Sequence, residues 1–282
     1  MLKVLKSGLY TSIQDTGRFG YRSLGVPVSG AMDAYSSTYA NTILGNSIDD
    51  AVLEITMSGP QLQFLKPTQI AIAGADLQPR LNGRAVQNNR AIMVTEEDVL
   101  TFSGLNSGLR TYLAVKGGFI TKTVLESKSM YRAITDSERI QAGEIIEYTE
   151  FAKASQTTNA HIKYDSTILS SKVLEVSKGP EFERLNEVQV KRLEKQRFEV
   201  SKFNNRMAYQ LLPILPNDLN PIITTPILPG TVQLTPSGHL IVLMRDCQTT
   251  GGYPRILQLT ERSINILCQK RQGEEIILRI KD

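Results

Sequence analysis

The feature that most constrains this chain of 282 residues is a weak repeat of its own sequence. Leu53-Glu54-Ile55 leads to Gly59-Pro60, and Leu174-Glu175-Val176 leads to Gly179-Pro180. Gly108 precedes an apolar run around Tyr112 and the pair Gly117-Gly118; Gly238 precedes Ile241-Val242-Leu243-Met244 and the pair Gly251-Gly252. Gly143-Glu144-Ile145-Ile146 is echoed by Gly273-Glu274-Glu275-Ile276-Ile277. These four landmarks keep their order at shifts of 120, 130, 134 and 130 residues. An ordered set at a nearly constant offset points to two related domains stacked along the chain. The length allows it, since either half can bury a core of its own.

The repeated unit reads as β structure. Residues 68–73, 99–102, 111–116, 173–176, 240–245 and 275–280 are dense in Val, Ile, Leu and Thr, with Gly, Pro and Asn between them at short intervals. That spacing belongs to barrels or sandwiches rather than to βαβ units. Two segments carry helical spacing instead. Met32, Tyr35, Tyr39 and Ile43 recur on one face, with Ser29 placed to cap the start and Gly45-Asn46 to end it. The other spans 181–197, with Phe182, Leu185 and Leu193 inward and charge elsewhere. The junction between repeats is expected within 151–165, which is polar, small and aperiodic. An amino-terminal domain over 1–155 and a carboxy-terminal domain over 165–282 follow, and residues 1–48 have no counterpart in the second repeat.

Composition removes several function classes. The net charge of +4 arises from basic residues interleaved with acids, so the run from Lys191 to Arg197 reads as a solvated helix face rather than a nucleic-acid patch. No run approaches the roughly 20 apolar residues of a membrane helix, and the amino terminus lacks a secretory pattern. Two cysteines, Cys247 and Cys268, are too few for a disulfide framework or a cysteine-rich zinc site. A cytoplasmic location is the expectation. Neither a Gly-x-x-x-x-Gly-Lys-Ser/Thr loop nor a Gly-x-Ser-x-Gly elbow occurs. His161 and His239 fall in the linker and in a turn, which leaves acid–base work to carboxylates, tyrosines or lysines.

Candidate chemistry gathers in three polar segments. In residues 8–33, closely spaced glycines permit a loop that wraps a ligand. There Arg18 can hold a carboxylate or phosphate bidentately, or pair with Asp15 three residues away. A turn cluster fixed by Asp15 accounts for the same residues equally well, and Asp33 suits the first turn of a helix. Around residues 245–255, an apolar strand runs into Asp246, Gln248, Thr249, a Gly-Gly bend and Tyr253-Pro254-Arg255. Polar groups at the rim of a rigid β scaffold are a common way to hold a small polar ligand. The third segment, Asn204-Asn205-Arg206-Met207-Ala208-Tyr209, reads most simply as a surface arginine before a strand.

These segments carry a family resemblance. Gly8-Leu9, Gln14-Asp15-x-Gly17-Arg18-x-Gly20, Gly25-Val26-Pro27-x-Ser29-Gly30-Ala31-Met32-Asp33, Ala40-Asn41 and Gly45-Asn46 come first. Glu54-x-Thr56-x-x-Gly59-Pro60, Tyr112-Leu113-Ala114-Val115-x-Gly117-Gly118, Asn205-Arg206-Met207 and Gln248-Thr249-Thr250-Gly251-Gly252-Tyr253-Pro254 follow in order. Together they resemble the family of the KipI antagonist (KipA), allophanate hydrolase subunit 2 and the C component of 5-oxoprolinase, of the biotin-dependent carboxyltransferase type. The resemblance implies a mainly β protein of two tandem cyclophilin-like β-barrel domains with a few short helices. It also implies two partners, a KipI-like B component and a lactam-utilisation-type A component. The implied activity is ATP-dependent opening of 5-oxoproline to L-glutamate, with ATP as a co-substrate whose site falls on a partner. Carboxyl transfer from carboxybiotin to urea, or non-enzymatic binding of a KipI-like partner, are the alternatives.

On that basis Asp15 and Asp246 are the expected general bases or acceptors. Gln248 and Thr249 would orient the amide, and Arg18 or Arg255 would hold a carboxylate or phosphate. Gln14, Asp33, Asn41 and Tyr253 complete the expected binding set, and no metal is expected. The chain departs from the family where a Leu-Gly-Ser-Arg-Ser-Thr stretch is usual. Here it reads Leu125-Glu126-Ser127-Lys128-Ser129-Met130, and the loop that follows is shortened to residues 131–140. Leu240 stands where a proline is usual.

Overall fold

The computed structural model describes residues 1–152 and 163–281. Strands dominate it, and four short α-helices occur among the described residues: α1 (Ala34–Ile43), α2 (Thr167–Ser170), α3 (Glu187–Lys195) and α4 (Glu261–Leu267). None of these is long and apolar enough to cross a membrane. The chain divides into two compact units, one formed by Met1–Arg18 with Ser29–Leu169, the other by Phe19–Val28 with Ser170–Asp282. The segment Phe19–Val28 therefore belongs with the carboxy-terminal unit, which no linear division of the sequence anticipates. Most of the expected junction at 151–165 lies outside the described residues. Where the chain resumes, the Tyr164 ring sits against those of Tyr35 and Tyr39 in the first unit.

The first unit holds two antiparallel sheets. One runs Phe119–Ile120, Ile145–Tyr148, Leu2–Lys6, Gln61–Phe64, Val99–Phe102, Pro79–Leu81, Arg84–Ala85. The other runs Tyr10–Gln14, Val52–Thr56, Ser107–Val115, Thr68–Asp76, Ala91–Val94. Alternation along the strands sorts the side chains. Ile13, Leu53, Ile55, Leu113, Ile70 and Ile72 join Leu2, Val4, Leu62, Phe64 and Leu100 in one apolar cluster, which is the core of this unit. The opposite face of the five-stranded sheet, through Val52, Ala71, Ala73, Tyr112 and Ala114, is covered by Tyr39, Ala40 and Leu44 of α1 and its cap. Alanines at the contact let the helix lie close.

In the second unit seven strands close a barrel. They run Val173–Lys178, Arg255–Leu259, Thr231–Leu234, Leu240–Leu243, Ala208–Leu212, Arg197–Asn204 and Glu275–Ile280. The barrel closes through a parallel pairing of Val173–Lys178 with Glu275–Ile280. Alternate positions are buried, as in Leu174 and Val176, Phe198 and Val200, Tyr209 and Leu211, and Ile276 and Leu278. That period of two is what a closed sheet with one filled face requires.

Helix boundaries differ from the sequence expectation for local reasons. Asp33, not Ser29, caps α1: its Oδ1 accepts from the Ser36 N–H at 3.0 Å. Ser29 (φ 58°) and Gly30 (φ 86°) are both left-handed, so the chain is still turning there. A Cβ on Gly30 would sit 2.9 Å from the Thr16 carbonyl, which is why only glycine fits. Gly45 (φ 62°) follows the end of the helix in the left-handed form. The second helical segment begins later than its charge run suggests. Phe182–Arg184 is a single 3-10 turn, Leu185 is extended, and a capping box between Asn186 and Gln189 starts α3. Phe182, Leu185 and Leu193 are buried as their pattern indicates.

Candidate functional site

Three of the expected site residues converge in the first unit, and they converge on a loop. Asp15 is nearly surrounded by donors. Its Oδ1 accepts from the Gly17 N–H at 2.8 Å, Ser127 Oγ at 2.7 Å and Ser129 Oγ at 2.6 Å, and its Oδ2 accepts from the Lys128 N–H at 2.5 Å. A carboxylate offers about two acceptor sites on each oxygen, so Oδ1 is saturated while Oδ2 carries a single bond. Arg18 is fully buried and spends its guanidinium on main-chain oxygens, donating from Nε to Val124 O at 3.2 Å and from Nη2 to Ser129 O. Gln14, also buried, donates to Ser12 Oγ at 3.0 Å and to Met130 O at 3.2 Å. Asp15, Arg18 and Gln14 thus clamp the stretch 124–130. The turn they hold has both Leu125 (φ 52°) and Glu126 (φ 60°) left-handed, so Glu126 occupies a conformation that a glycine adopts without cost.

Asp33 and Asn41 fall at opposite ends of α1 and do not face one ligand. Asp33 accepts from Ser36 through both oxygens. Asn41 donates from Nδ2 to Asp50 O at 2.7 Å and accepts from Asn46 Nδ2 at 3.1 Å, closing the carboxy-terminal end.

Beneath α1 lies a polar layer that the sequence reading did not assign. Ser12, Glu54, Tyr112 and Ala73 are paired across four neighbouring strands. Glu54 is fully buried; its Oε2 accepts from the Met32 N–H at 2.7 Å and from Tyr112 Oη at 2.9 Å. Arg110 Nε stands 3.8 Å from Glu54 Oε1. The Asp33 N–H donates to Tyr112 Oη at 2.7 Å, and Ser36 Oγ shares a hydrogen bond of 2.8 Å with Tyr164 Oη. A buried carboxylate must be paired and hydrogen-bonded to persist, and this one fixes the approach to α1. The signal was legible: in Val52-Leu53-Glu54-Ile55, the glutamate shares its face with residues that must be buried.

In the second unit, Asp246 and Arg206 form a buried bidentate pair, with Nε to Oδ2 at 2.7 Å and Nη2 to Oδ1 at 3.1 Å. Arg206 is therefore internal, contrary to its reading as a surface residue. Arg255 is engaged the same way with Glu181, at 2.9 and 2.8 Å, and its Nη1 donates to Pro226 O at 3.0 Å. That pairing holds the Glu181 carboxyl below the usual carboxylate range. Gln248 is exposed, Thr249 is half-buried, and Tyr253 is 42% exposed. Arg22 of the Phe19–Val28 segment donates to the carbonyls of Ile227 and Thr249. It so joins this rim to the short two-stranded sheet of Thr225–Pro226 and Thr250–Gly251. Burial pushes the neighbouring Cys247 thiol up to about 11.

No group of three or more His, Cys, Asp or Glu side chains suited to a metal ion occurs among the described residues. For a nucleotide, neither Arg18 nor Arg255 offers an uncommitted guanidinium to a phosphate. The fit to ATP phosphates at these positions is poor. What this stretch of the second unit leaves to solvent is neutral: Gln248 and Tyr253 are exposed and Thr249 is half-buried.

Residues 24–280 match the family model described as carboxyltransferase domain, subdomain A and B, and the chain belongs to that family. Among curated relatives it is 30% identical over 288 residues to the C component of the 5-oxoprolinase of Escherichia coli K12, covering 98% of this chain and 90% of that protein. It is 41% identical over 130 residues to the urea amidolyase of Lachancea kluyveri, covering 46% of this chain and 7% of that protein. The solved structure described as TTHA0988 superposes with a TM-score of 0.86 at 28% identity, covering 99% of this chain and 55% of that one. The chain thus spans nearly all of one relative and about half, or far less, of the others. The first of these relatives is by its name one subunit of an enzyme, and the second is matched over only a small segment of its length.

Proposed function

We propose that the protein is a subunit of an ATP-dependent 5-oxoprolinase complex that opens 5-oxoproline to L-glutamate. The observation that carries this reading is the extent of the likeness to the bacterial C component, which runs through 98% of this chain and 90% of its relative. A KipI-like B component and a lactam-utilisation-type A component complete the complex. The lactam is a planar amide, and Gln248, Thr249 and Tyr253 present neutral donors and acceptors suited to orienting one. Asp15, Arg18, Asp246 and Arg255 act at one remove: each is bonded to a neighbour and sets the position of a loop or strand end. ATP is a co-substrate, and its phosphates are held on a partner, a reading supported by the prior engagement of Arg18 and Arg255. The protein works in the cytoplasm.

The test is reconstitution with the products of neighbouring genes and assay of glutamate formation from 5-oxoproline and ATP. Omission of this chain should abolish turnover, and Gln248→Ala should lower kcat/KM at least tenfold while the complex still assembles. An assembled complex that hydrolyses ATP without forming glutamate would sink the proposal.

A second reading has its own support. The family match and the 41% identity with a urea amidolyase segment favour carboxyl transfer from carboxybiotin to urea. That reading requires a biotin carboxylase and a biotinyl-lysine domain as companions, and urea-dependent carboxybiotin consumption would mark it. Co-purification with a KipI-like protein and no turnover of either kind would mark a binding regulator instead.

A further inference from the structure

The five-stranded sheet of the first unit ends on one side in an open edge. Its outermost strand, Ala91–Val94, is hydrogen-bonded to Thr68–Asp76. Which of its main-chain groups are spent follows from the alternation along that neighbour. Gln69 O accepts from the Lys116 N–H at 2.8 Å, on the side of Ser107–Val115. Ile72 O accepts from the Asn89 N–H at 2.7 Å, on the opposite side. Over residues 68–72, the even-numbered ones therefore turn their N–H and C=O groups toward Ala91–Val94, where Ile70 pairs with Ile92 and Thr68 with Val94. Ala91 and Met93 then point theirs outward in the plane of the sheet, and no described residue bonds to them there. Both residues are exposed, Met93 at 37%.

The other sheet edges of this unit are covered or short. At Tyr10–Gln14, on the far side of the same sheet, Thr11 O accepts from the Ile140 N–H and Ile13 O from the Met130 N–H, each at 2.9 Å. The seven-stranded sheet ends in strands of two residues, Phe119–Ile120 and Arg84–Ala85. An open edge is ordinarily guarded by a lysine, a proline or a bulge. The run Ala91-Ile92-Met93-Val94 has none of these. Its charges lie outside the strand and differ in sign at the two ends, with Arg90 before it and Glu96-Glu97 after it. Arg90 and Glu96 are exposed, and neither has an ion-pair partner among the described residues. A strand that is basic at its start and acidic past its end complements itself when run antiparallel.

We propose that this edge is a homodimer interface, in which Ala91–Val94 pairs antiparallel with the same strand of a second copy of the chain. With Ala91 opposite the partner's Met93 and Ile92 on the two-fold axis, the outward N–H and C=O groups of both residues are satisfied in both copies. Met93 lies beside the partner's Ala91, and Arg90 falls diagonal to the partner's Glu96, within reach of a long side chain. The axis is two-fold, so association closes at the dimer. The contact is small and the dimer correspondingly weak. It uses no residue of the second unit and stands whether or not the oxoprolinase reading does.

The test is analytical sedimentation of the full chain between about 10 μM and about 1 mM, the range in which so small an interface associates. The expected result is a monomer–dimer equilibrium, with hydrogen exchange at the Ala91 and Met93 amides slowed only at the high concentration. The Ile92 and Val94 amides, already paired within the sheet, should be slow at both. Met93→Lys, at an exposed side chain, should weaken the dimer about tenfold or more without changing Tm. Arg90→Glu and Glu96→Arg should each weaken it alone, and an equimolar mixture of the two should recover it, because each contact then joins unlike charges. A folding defect cannot produce that recovery. A chain that stays monomeric throughout, a dimer indifferent to Met93→Lys, or a mixture that associates no better than either variant alone overturns the proposal. So does a monomer whose Ala91 and Met93 amides become protected only when a reconstituted partner subunit is added, which assigns the edge to that subunit.

Discussion

The Asp246–Arg206 pair is a buried ion pair whose two side chains are 10% and 9% exposed. Removing one partner leaves the other charge without compensation in a poorly solvated place. Asp246→Ala should therefore cost about 3 kcal/mol or more, whereas the double change Asp246→Leu with Arg206→Met should recover most of that. Urea denaturation of the three proteins checks it, and equal losses in single and double variants would deny the pair its structural role. Glu126 presents the opposite case. It occupies a left-handed turn position (φ 60°) that a glycine adopts without strain, so Glu126→Gly should raise stability by about 1 kcal/mol in the same assay. At this scale the sequence named residues correctly as polar and clustered but left their employment open. Asp15 and Arg18 could equally have met a ligand or a loop. The four donors on Asp15 come from residues 17 and 127–129, and the latter stand over a hundred positions away.

Helix α1 shows what an element adds to its residues. Asp33 joins its first turn to the sheet, accepting from Ser36 and donating its own N–H to Tyr112 Oη. Loss of a capping side chain costs about 1–2 kcal/mol, so Asp33→Ala should destabilise the protein by that amount. It should also speed hydrogen exchange at the Ser36 and Ser37 amides, and unchanged exchange there would show that the cap is idle. Spacing of Tyr35, Tyr39 and Ile43 made the helix legible, but its first residue was not, because Ser29 and Asp33 are both competent caps and the turn at Ser29-Gly30 is set by the Thr16 carbonyl. The Phe19–Val28 segment is held by Arg22. Arg22→Ala should accelerate exchange at the Ile227 amide, which pairs with Thr249 O at 3.1 Å, with little effect on α1.

Across the molecule, titration joins burial to stability. Burial raises the Tyr148 phenol to about 12 and the Cys247 thiol to about 11, from ordinary values of 10.0 and 9.0. Above pH 9.0 the unfolded chain gives up these protons more readily than the folded one. Stability should accordingly fall from pH 9.0 through 12, and unfolding midpoints across that range, with phenolate absorbance, check the sign. The Glu181 carboxyl is depressed by Arg255, so its contribution is present above 4.5 and is lost as the pH falls through its lower folded value. What the sequence determined by itself is the mainly β class, because alternation, short strand lengths and an ordered repeat are local patterns that survive without coordinates. It also marked where polar residues gather. Only the tertiary structure decided which of those residues remain available to a ligand. A carboxylate or guanidinium is consumed or left open by partners far along the chain, such as Glu181 for Arg255, Arg206 for Asp246 and Val124 for Arg18, and no spacing rule encodes which distant group will arrive.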